Sequence, residues 1–172
     1  MRVAVFITGG TFDKEYNELS GELFFKKTHV RDMLGIGRSL VPLQIETLMM
    51  KDSLLMTDID RALIADACVT AKEKNVVITH GTDTMELTAR YLATRLTGKT
   101  VILTGAMVPY KFGSSDGLFN LGSALAYAQV LPIGIYVVMN GRYFEWDNVR
   151  KNRNTGFFEE RRARTKTKAA RT

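Results

Sequence analysis

Three short segments combine glycines with side chains that can do chemistry. They are Thr8-Gly9-Gly10-Thr11, His80-Gly81-Thr82-Asp83-Thr84 and Thr104-Gly105-Ala106-Met107. Glycines let backbone amides approach a ligand closely, and the hydroxyl and carboxylate groups can act on that ligand. A single segment of this kind is ordinarily a turn, because glycine and threonine are common in turns and caps. Two of them at the ends of neighbouring strands favour a ligand-binding site.

The chemistry that these segments suggest is nucleophilic attack by a threonine. A threonine hydroxyl is a weak nucleophile, so it needs a base, and a lysine or tyrosine with a lowered pKa can serve where no histidine is available. Lys151, beyond the last predicted strand, is the candidate that could accept the proton of Thr82 beside Asp83. Backbone N–H groups around Gly10 and Gly81 would hold a developing oxyanion.

Short apolar segments alternate with helical patterns along the chain. Each segment is a nearly continuous apolar run, which is typical of a strand buried on both faces by crossover helices. The predicted strands are Val3–Thr8, Gln44–Met49, Val76–Thr79, Thr100–Thr104 and Gly134–Met139, and the predicted helices lie at 29–40, 58–72, 85–96 and 118–130.

This alternation predicts an α/β fold with a doubly wound, mostly parallel sheet and helices on both faces. The simplest strand order is the flavodoxin-like 2-1-3-4-5. In such sheets, ligands bind beyond the carboxyl ends of the strands, where the order reverses between the first and third strands. The glycine-threonine segments follow strands one, three and four, so the fold would bring them together.

Motifs for cofactors and metals are incomplete. Gly98-Lys99-Thr100 resembles the end of a phosphate-binding loop, but Ala93 replaces the required glycine and a strand follows instead of a helix. Gly35-Ile36-Gly37 begins a dinucleotide fingerprint in which Leu40 replaces the third glycine. Two histidines and Cys68 are too dispersed for a zinc site. We therefore predict no organic cofactor and no metal.

The chain has 172 residues, of which 45% are apolar and 24% charged, as expected for a single globular domain. Six of its 24 basic residues lie within 161–172, where there is no acidic residue, so the net charge of +6 belongs to this segment. We expect a domain at 1–160 and a basic, disordered tail at 161–172. Nucleic acid is not the partner we expect, and any binding to it would use only that tail. A lone cysteine, no membrane-length apolar run and no signal-peptide pattern favour the cytoplasm.

Longer motifs resemble those of the bacterial L-asparaginase family. They are TGGT at Thr8–Thr11, HGTDTME at His80–Glu86, GAM at Gly105–Met107 and SDGLFNL at Ser115–Leu121. HGTDTME is highly specific, whereas TGGT alone would be weak. The similarity runs from Val3 to about Phe158.

The resemblance implies hydrolysis of L-asparagine to L-aspartate and ammonia through an acyl-enzyme, without a cofactor. The residue that matches the family's primary nucleophile is Thr11. Thr82, Asp83 and Lys151 match the group that activates the nucleophile or the hydrolytic water. Tyr16 matches the tyrosine of the family's mobile loop, although this loop is short here.

The resemblance also implies contacts to the substrate. Ser53 matches the serine that grips the α-carboxylate and α-amine, Asp83 is expected to pair with the α-amine, and the Ala106 carbonyl is expected to meet the leaving amide. Gly10 and Gly81 would contribute backbone contacts. Leu54 departs from the family pattern, because it replaces a polar residue and should weaken or relax substrate selection.

Length is the second departure. Family members commonly carry a second, smaller domain that completes a neighbouring subunit's site, and this sequence stops where that domain would begin, as a natural short form or a fragment. A homo-oligomer, a dimer or tetramer, is still expected. Two alternatives stay open: a broader amidase acting on L-glutamine or D-asparagine, and an asparagine-binding module with low turnover.

Overall fold

The computed structural model describes residues 1–161, which form one central sheet, two small ribbons and four α-helices. The strands are β1 (Val3–Gly9), β2 (Lys14–Tyr16), β3 (Leu23–Phe25), β4 (Leu43–Lys51), β5 (Asn75–Thr79), β6 (Thr100–Thr104), β7 (Gly134–Met139), β8 (Arg142–Glu145), β9 (Arg150–Lys151) and β10 (Phe158–Glu159). The helices are α1 (Val30–Ile36), α2 (Asp58–Thr70), α3 (Met85–Arg95) and α4 (Gly117–Val130).

The central sheet has six strands in the order β4-β1-β5-β6-β7-β8. All neighbouring pairs are parallel except the last, in which β8 runs antiparallel to β7. Numbered along the chain, the five parallel strands stand in the order 2-1-3-4-5. The predicted fold class, a mostly parallel sheet with helices on both faces in a single domain, is confirmed. The strand order reverses at β1, which lies between β4 and β5.

Alternating side chains of the strands bury two apolar layers, one on each face of the sheet. Phe6, Ile78 and Leu103 belong to the layer that α2 and α3 cover. Their sequence neighbours Val5, Val77 and Ile102 belong to the opposite layer, under α1 and α4. Because both faces are covered, the strand sequences are apolar throughout.

The predicted elements differ from the structure mainly at the edges. The first helix covers Val30–Ile36 rather than 29–40, and α2 ends at Thr70 rather than 72. Strand β4 is an edge strand with half-buried and exposed side chains, rather than a strand buried on both faces. Its second edge has no partner strand within the described residues, so less of its surface is covered.

Strand β8 and the ribbons β2–β3 and β9–β10 were not predicted. Asn140 and Gly141 alone join β7 to β8, and both have positive φ, 56° and 75°. That is the geometry of a two-residue hairpin turn, for which Asn-Gly is the strongest sequence signal. The sequence therefore carried a signal for β8. The strands of the two ribbons are too short to show a recognisable hydrophobic period.

The expected tail at 161–172 lies outside the described residues, apart from Arg161. Within residues 1–161, no helix combines the length and the apolar character needed to cross a membrane.

Candidate active site

Thr82, Asp83 and Lys151 meet beyond the carboxyl end of β5. The Lys151 Nζ donates hydrogen bonds to the Thr82 Oγ1 at 2.8 Å and to the Asp83 Oδ1 at 2.9 Å. The Lys151 side chain is 13% exposed and that of Asp83 is 35% exposed, while Thr82 is buried. The Lys151 amine is thus held by a hydroxyl and a carboxylate at a site with little solvent exposure. A ligand can approach this polar cluster from the side of the more exposed Asp83.

The β9–β10 ribbon positions Lys151. Lys151 pairs with Phe158, and the preceding Arg150 forms an ion pair of 2.8 Å with Glu159 across the ribbon. Val149 and Phe158 are buried in the same apolar layer as α2 and α3. Lys151 is thus fixed to the body of the domain by two buried side chains, one just before β9 and one on β10, although the sequence around it indicated only a loop.

Backbone packing sets the distance between the turns after β1 and β5. A Cβ placed on Gly10, whose φ is 79°, would lie 2.7 Å from the Gly81 Cα and closer still to the Gly81 nitrogen. A Cβ on Gly81 would in turn lie 2.5 Å from the Ser53 Oγ. Only glycine fits at either position, so three predicted site residues are packed in a row.

Thr11 begins a single turn of 3₁₀ helix, Thr11–Asp13, directly after Gly10. The turn is anchored by Phe12, which is fully buried, and by Asp13, whose carboxylate accepts hydrogen bonds from the His29 N–H at 2.8 Å and the Thr28 hydroxyl at 3.1 Å. Burial raises the pKa of the Asp13 carboxyl, and these hydrogen bonds oppose the increase. Thr11 itself is half-buried at the edge of this fixed turn.

Ser53 is 1% exposed, and its hydroxyl has no hydrogen-bond partner among the described residues. Its carbonyl accepts a hydrogen bond of 2.8 Å from the Thr84 hydroxyl. The preceding Asp52 accepts from the Leu54 N–H and forms an ion pair with Lys14. Burial raises the pKa of the Asp52 carboxyl, but these hydrogen bonds outweigh it and leave the pKa below its ordinary value. A buried hydroxyl without a partner is costly unless a ligand supplies one.

His80 is fully buried beside the site and has a partner for each ring nitrogen. The Nδ1 lies 2.7 Å from the Gly81 carbonyl, to which it must donate, and the Nε2 lies 2.8 Å from the Thr88 hydroxyl. Burial lowers the pKa of His80 to about 4, although its bond to Gly81 favours protonation. A neutral imidazole is therefore built into the turn and holds its shape.

Asp116, which directly precedes α4, and Asn120 within α4 hold the turn after β6, and sequence reasoning gave them no such role. The Asp116 carboxylate accepts hydrogen bonds from the Met107 N–H at 2.9 Å and the Val108 N–H at 3.0 Å. Asn120 donates to the Gly105 carbonyl at 2.9 Å and accepts from the Asn140 N–H at 3.0 Å. Their only sequence signal was their place in the SDGLFNL motif, and Asp116 precedes α4 without capping it through its side chain.

The remaining predicted residues lie at different depths. Ala106 is fully buried in the turn that Asp116 and Asn120 hold. Tyr16 is 56% exposed on β2, and a Cβ on Gly21 would lie 3.9 Å from its hydroxyl. The structure therefore brings together Gly10, Ser53, Gly81, Thr82, Asp83 and Lys151. It leaves Tyr16 on an outer ribbon, with its hydroxyl near the turn that joins β2 to β3.

No three histidine, cysteine, aspartate or glutamate residues among positions 1–161 are grouped so that they could hold a metal ion. The chemistry available to the cluster is that of its hydroxyls, its lysine and its carboxylate. A lysine within 2.8 Å of a threonine oxygen can exchange a proton with it, and close-packed glycine turns expose backbone N–H groups to a ligand oxygen.

Comparison with known proteins points to one family. The family model described as "Asparaginase, N-terminal" matches residues 2–163. The L-asparaginase of Thermococcus kodakarensis is 29% identical over 161 residues, which cover 91% of this chain and 49% of that protein. L-asparaginase 2 of Escherichia coli is 42% identical over 88 residues, which cover 49% of this chain and 25% of that protein.

Solved structures agree with this. The thermostable L-asparaginase of T. kodakarensis superposes with a TM-score of 0.81 at 29% identity, covering 93% of this chain and 51% of that one. A probable cytoplasmic L-asparaginase of Campylobacter jejuni superposes with a TM-score of 0.79 at 30% identity, covering 92% and 52%. The chain spans at most about half the length of these relatives.

Proposed function

Because this chain belongs to the asparaginase family, by its match to the family's N-terminal model, we propose that it is an amidohydrolase that converts L-asparagine and water to L-aspartate and ammonia. One observation carries the proposal: the Lys151 Nζ lies 2.8 Å from the Thr82 Oγ1 and 2.9 Å from the Asp83 Oδ1. Such a group supplies the proton transfers that amide hydrolysis needs.

Thr11 is the proposed nucleophile. It follows Gly10, whose backbone packs on Gly81, so its hydroxyl is carried by the turn that adjoins the Thr82 turn. The Thr11 oxygen bonds to the amide carbon of the substrate, the carbon–nitrogen bond breaks, and the amide leaves as ammonia after gaining a proton. Water then attacks the resulting ester, which releases aspartate and restores the threonine hydroxyl.

Thr82 and Lys151 are the proposed proton carriers for both steps. When its amine is neutral, Lys151 can take the Thr82 proton along the 2.8 Å hydrogen bond. Thr82 in turn can take a proton from the attacking group and later return it to the departing one. Asp83 holds the lysine at 2.9 Å and leaves its partly exposed carboxylate available to the α-amine of the substrate.

Ser53 supports the assignment of a substrate-binding region. Its buried hydroxyl has no partner among the described residues and lies against Gly81, as expected of a group that awaits a ligand. We assign the α-carboxylate to this serine, the oxyanion to backbone N–H groups near Gly10 and Gly81, and the leaving amide to the Ala106 carbonyl. Tyr16, on its exposed ribbon, is proposed to approach only when substrate is present.

The remaining expectations are part of the same proposal. Residues 1–160 form the catalytic domain and 161–172 a separate basic tail, through which alone nucleic acid would bind. A cytoplasmic homo-oligomer, a dimer or tetramer, is proposed, and the similarity to a probable cytoplasmic L-asparaginase supports that location. Exposed apolar side chains on α4, among them Phe119 at 62%, offer area for a subunit contact.

Ammonia release from L-asparagine tests the proposal. The purified chain should release ammonia, and Thr11→Ala should reduce the rate by at least about 10³-fold, the scale on which covalent catalysis contributes. Equal rates for the two proteins would remove Thr11 from the role of nucleophile. A wild-type protein that binds aspartate but releases no ammonia would instead be an asparagine-binding module.

A broader amidase is the second candidate, and Leu54 favours it. This side chain is 63% exposed beside Ser53, at the position where the resemblance implies a polar residue. It offers no hydrogen bond with which to select the length or hand of the substrate. Values of kcat/KM for L-asparagine, L-glutamine and D-asparagine within about tenfold of one another would support the broader activity, and a much larger preference for L-asparagine would exclude it.

A further inference from the structure

The side chain of Met107 contacts the Thr82 hydroxyl, the same hydroxyl that Lys151 contacts. The Thr82 Oγ1 lies 3.6 Å from the Met107 Sδ, to which it can donate, while it accepts from the Lys151 Nζ. The Met107 backbone is held by Asp116 at 2.9 Å. Its methyl end lies near the ribbon that carries Lys151, since a Cβ on Gly156 would be 3.2 Å from the Met107 Cε.

Met107 is also unusually accessible for a methionine of this protein. The chain has eight methionines, and only Met1, at 70%, and Met107, at 41%, are exposed. Met49 and Met50 are half-buried, and the other four are buried. Cys68 is buried and burial raises the pKa of its thiol to about 12, so it carries almost no reactive thiolate at neutral pH.

We propose that Met107 is a redox-modification site, at which oxidation by a peroxide blocks proton transfer between Thr82 and Lys151. The effect on turnover rests on the proposed function, whereas the modification itself does not. Met1 is also exposed to a peroxide, but it lies at the amino-terminal end of the strands, away from Thr82, where its sulfur contacts Asn75 at the start of β5.

The chemistry is a two-electron transfer of one oxygen atom. The thioether sulfur attacks the peroxide, the oxygen–oxygen bond breaks, a sulfur–oxygen bond forms, and the peroxide is reduced to water or an alcohol. A dithiol reductant reverses the step, forming a disulfide and water as it removes the oxygen. No metal or organic cofactor is needed in either direction.

Oxidation replaces a weak acceptor by a strong one next to Thr82. A thioether sulfur accepts hydrogen bonds weakly, whereas a sulfoxide oxygen is polar and accepts them well. The sulfoxide oxygen would bind the Thr82 proton, which is then less available to Lys151. The same oxygen can also accept a hydrogen bond from the Lys151 ammonium, in competition with Thr82. The Met107 side chain has little room to move away from Thr82, because Asp116 fixes the Met107 backbone and the turn at Gly156 lies beside its methyl group.

The experiment compares the wild type, Met107→Leu and the matched control Met49→Leu before and after the same exposure to hydrogen peroxide. Peptide mass spectrometry measures sulfoxide at each methionine, and ammonia release is measured relative to each untreated protein. We expect Met107 to be oxidised at least threefold faster than Met49. We expect the rate of ammonia release to fall at least tenfold in the wild type and in Met49→Leu, but less than twofold in Met107→Leu. Treatment with a methionine sulfoxide reductase should restore the rate of the oxidised wild type.

A readout independent of turnover separates this proposal from the proposed function. The rate at which acetic anhydride labels Lys151, followed by mass spectrometry, should fall at least threefold on oxidation of the wild type and not of Met107→Leu. This holds even if the protein releases no ammonia. The proposal is overturned if Met107 is oxidised no faster than Met49, or if Met107→Leu responds to peroxide in the same way as the wild type.

Discussion

Gly10 packs directly on Gly81, so the backbone of the turn after β1 touches the backbone of the turn after β5. These turns carry the proposed nucleophile Thr11 and the proton carrier Thr82. The separation of the two threonines is therefore set by main-chain packing between adjacent parallel strands rather than by flexible side chains. Pre-organisation of this kind is what a two-step displacement requires of its scaffold.

The contact predicts a difference between two glycine variants. Gly10→Ala should lower the free energy of unfolding by more than about 2 kcal/mol, because it combines an unfavourable positive φ with a clash against Gly81. Gly98→Ala is the matched control, since Gly98 has a similar φ of 72° but nothing within 4 Å of its Cβ position. It should cost about 1 kcal/mol. Denaturant unfolding measures both, and equal losses would contradict the importance of the contact.

Lys151→Met should reduce kcat for L-asparagine by roughly 10²–10⁴-fold, the contribution expected of a positioned acid–base group. The control is Lys99→Met, because Lys99 also binds two oxygens, the carbonyls of Ala71 and Glu73, but at the opposite end of the sheet. That variant should keep its turnover number. A Lys151→Met enzyme within tenfold of the wild type would show that another group carries the proton.

Ser53→Ala should raise KM for L-asparagine by about tenfold and leave kcat nearly unchanged, as expected when one hydrogen bond to a bound carboxylate is lost. Its free energy of unfolding should not fall, because the buried hydroxyl has no partner to lose within the described structure. Thr79→Val is the comparison for the free energy of unfolding, since Thr79 also has a buried hydroxyl without a partner among the described residues. Loss of stability in Ser53→Ala with an unchanged KM would indicate a structural role instead.

His80 should titrate with a pKa of about 4 in the folded protein, because its ring is buried. In the unfolded chain the pKa is about 6.5, so unfolding takes up a proton between these values. The contribution of His80 to stability is therefore complete above about pH 6.5 and falls as the pH drops towards 4, by up to about 1.4 kcal/mol per pH unit. The raised pKa of Asp13 acts in the opposite direction, at pH values above its ordinary pKa of 3.8.

Proton NMR of the ring signals measures this pKa directly. The chain has two histidines, so His29→Gln assigns the signals. A His80 signal that titrates above pH 6 would contradict the neutral, buried ring and its bond to the Thr88 hydroxyl. A second check is the slope of unfolding free energy against pH between 4 and 6.5, which should be more positive for the wild type than for His80→Gln.

The five parallel strands could be predicted because strands buried on both faces read as apolar runs such as Val101-Ile102-Leu103, and the helices between them have a clear period. Once the sheet was assigned, its topology explained why the turns at Thr11 and Thr82 should be neighbours. The edge strand β4 was less well described, because one-sided contact leaves part of it exposed and its apolar run is interrupted by Glu46 and Thr47.

The contacts that refine the site were beyond sequence reasoning. Asp116 directly precedes α4, the usual place of a helix cap, yet its carboxylate accepts hydrogen bonds from the Met107 and Val108 amides. That choice depends on where two loops lie relative to α4, which no local pattern encodes. The same holds for the hydroxyl of Ser53, since only the packed structure shows that it is enclosed without a partner.

The β9–β10 ribbon has a consequence for the order of events during folding. Lys151 is 69 residues from Thr82 and 68 from Asp83 in the sequence, and it arrives on a ribbon that follows the last strands of the sheet. Contacts that close such long loops form late, after the entropy of the intervening chain has been lost. Chains emerging from the ribosome would thus have both threonine turns in place before the lysine reaches them, and the proposed proton carriers would meet only when the ribbon docks.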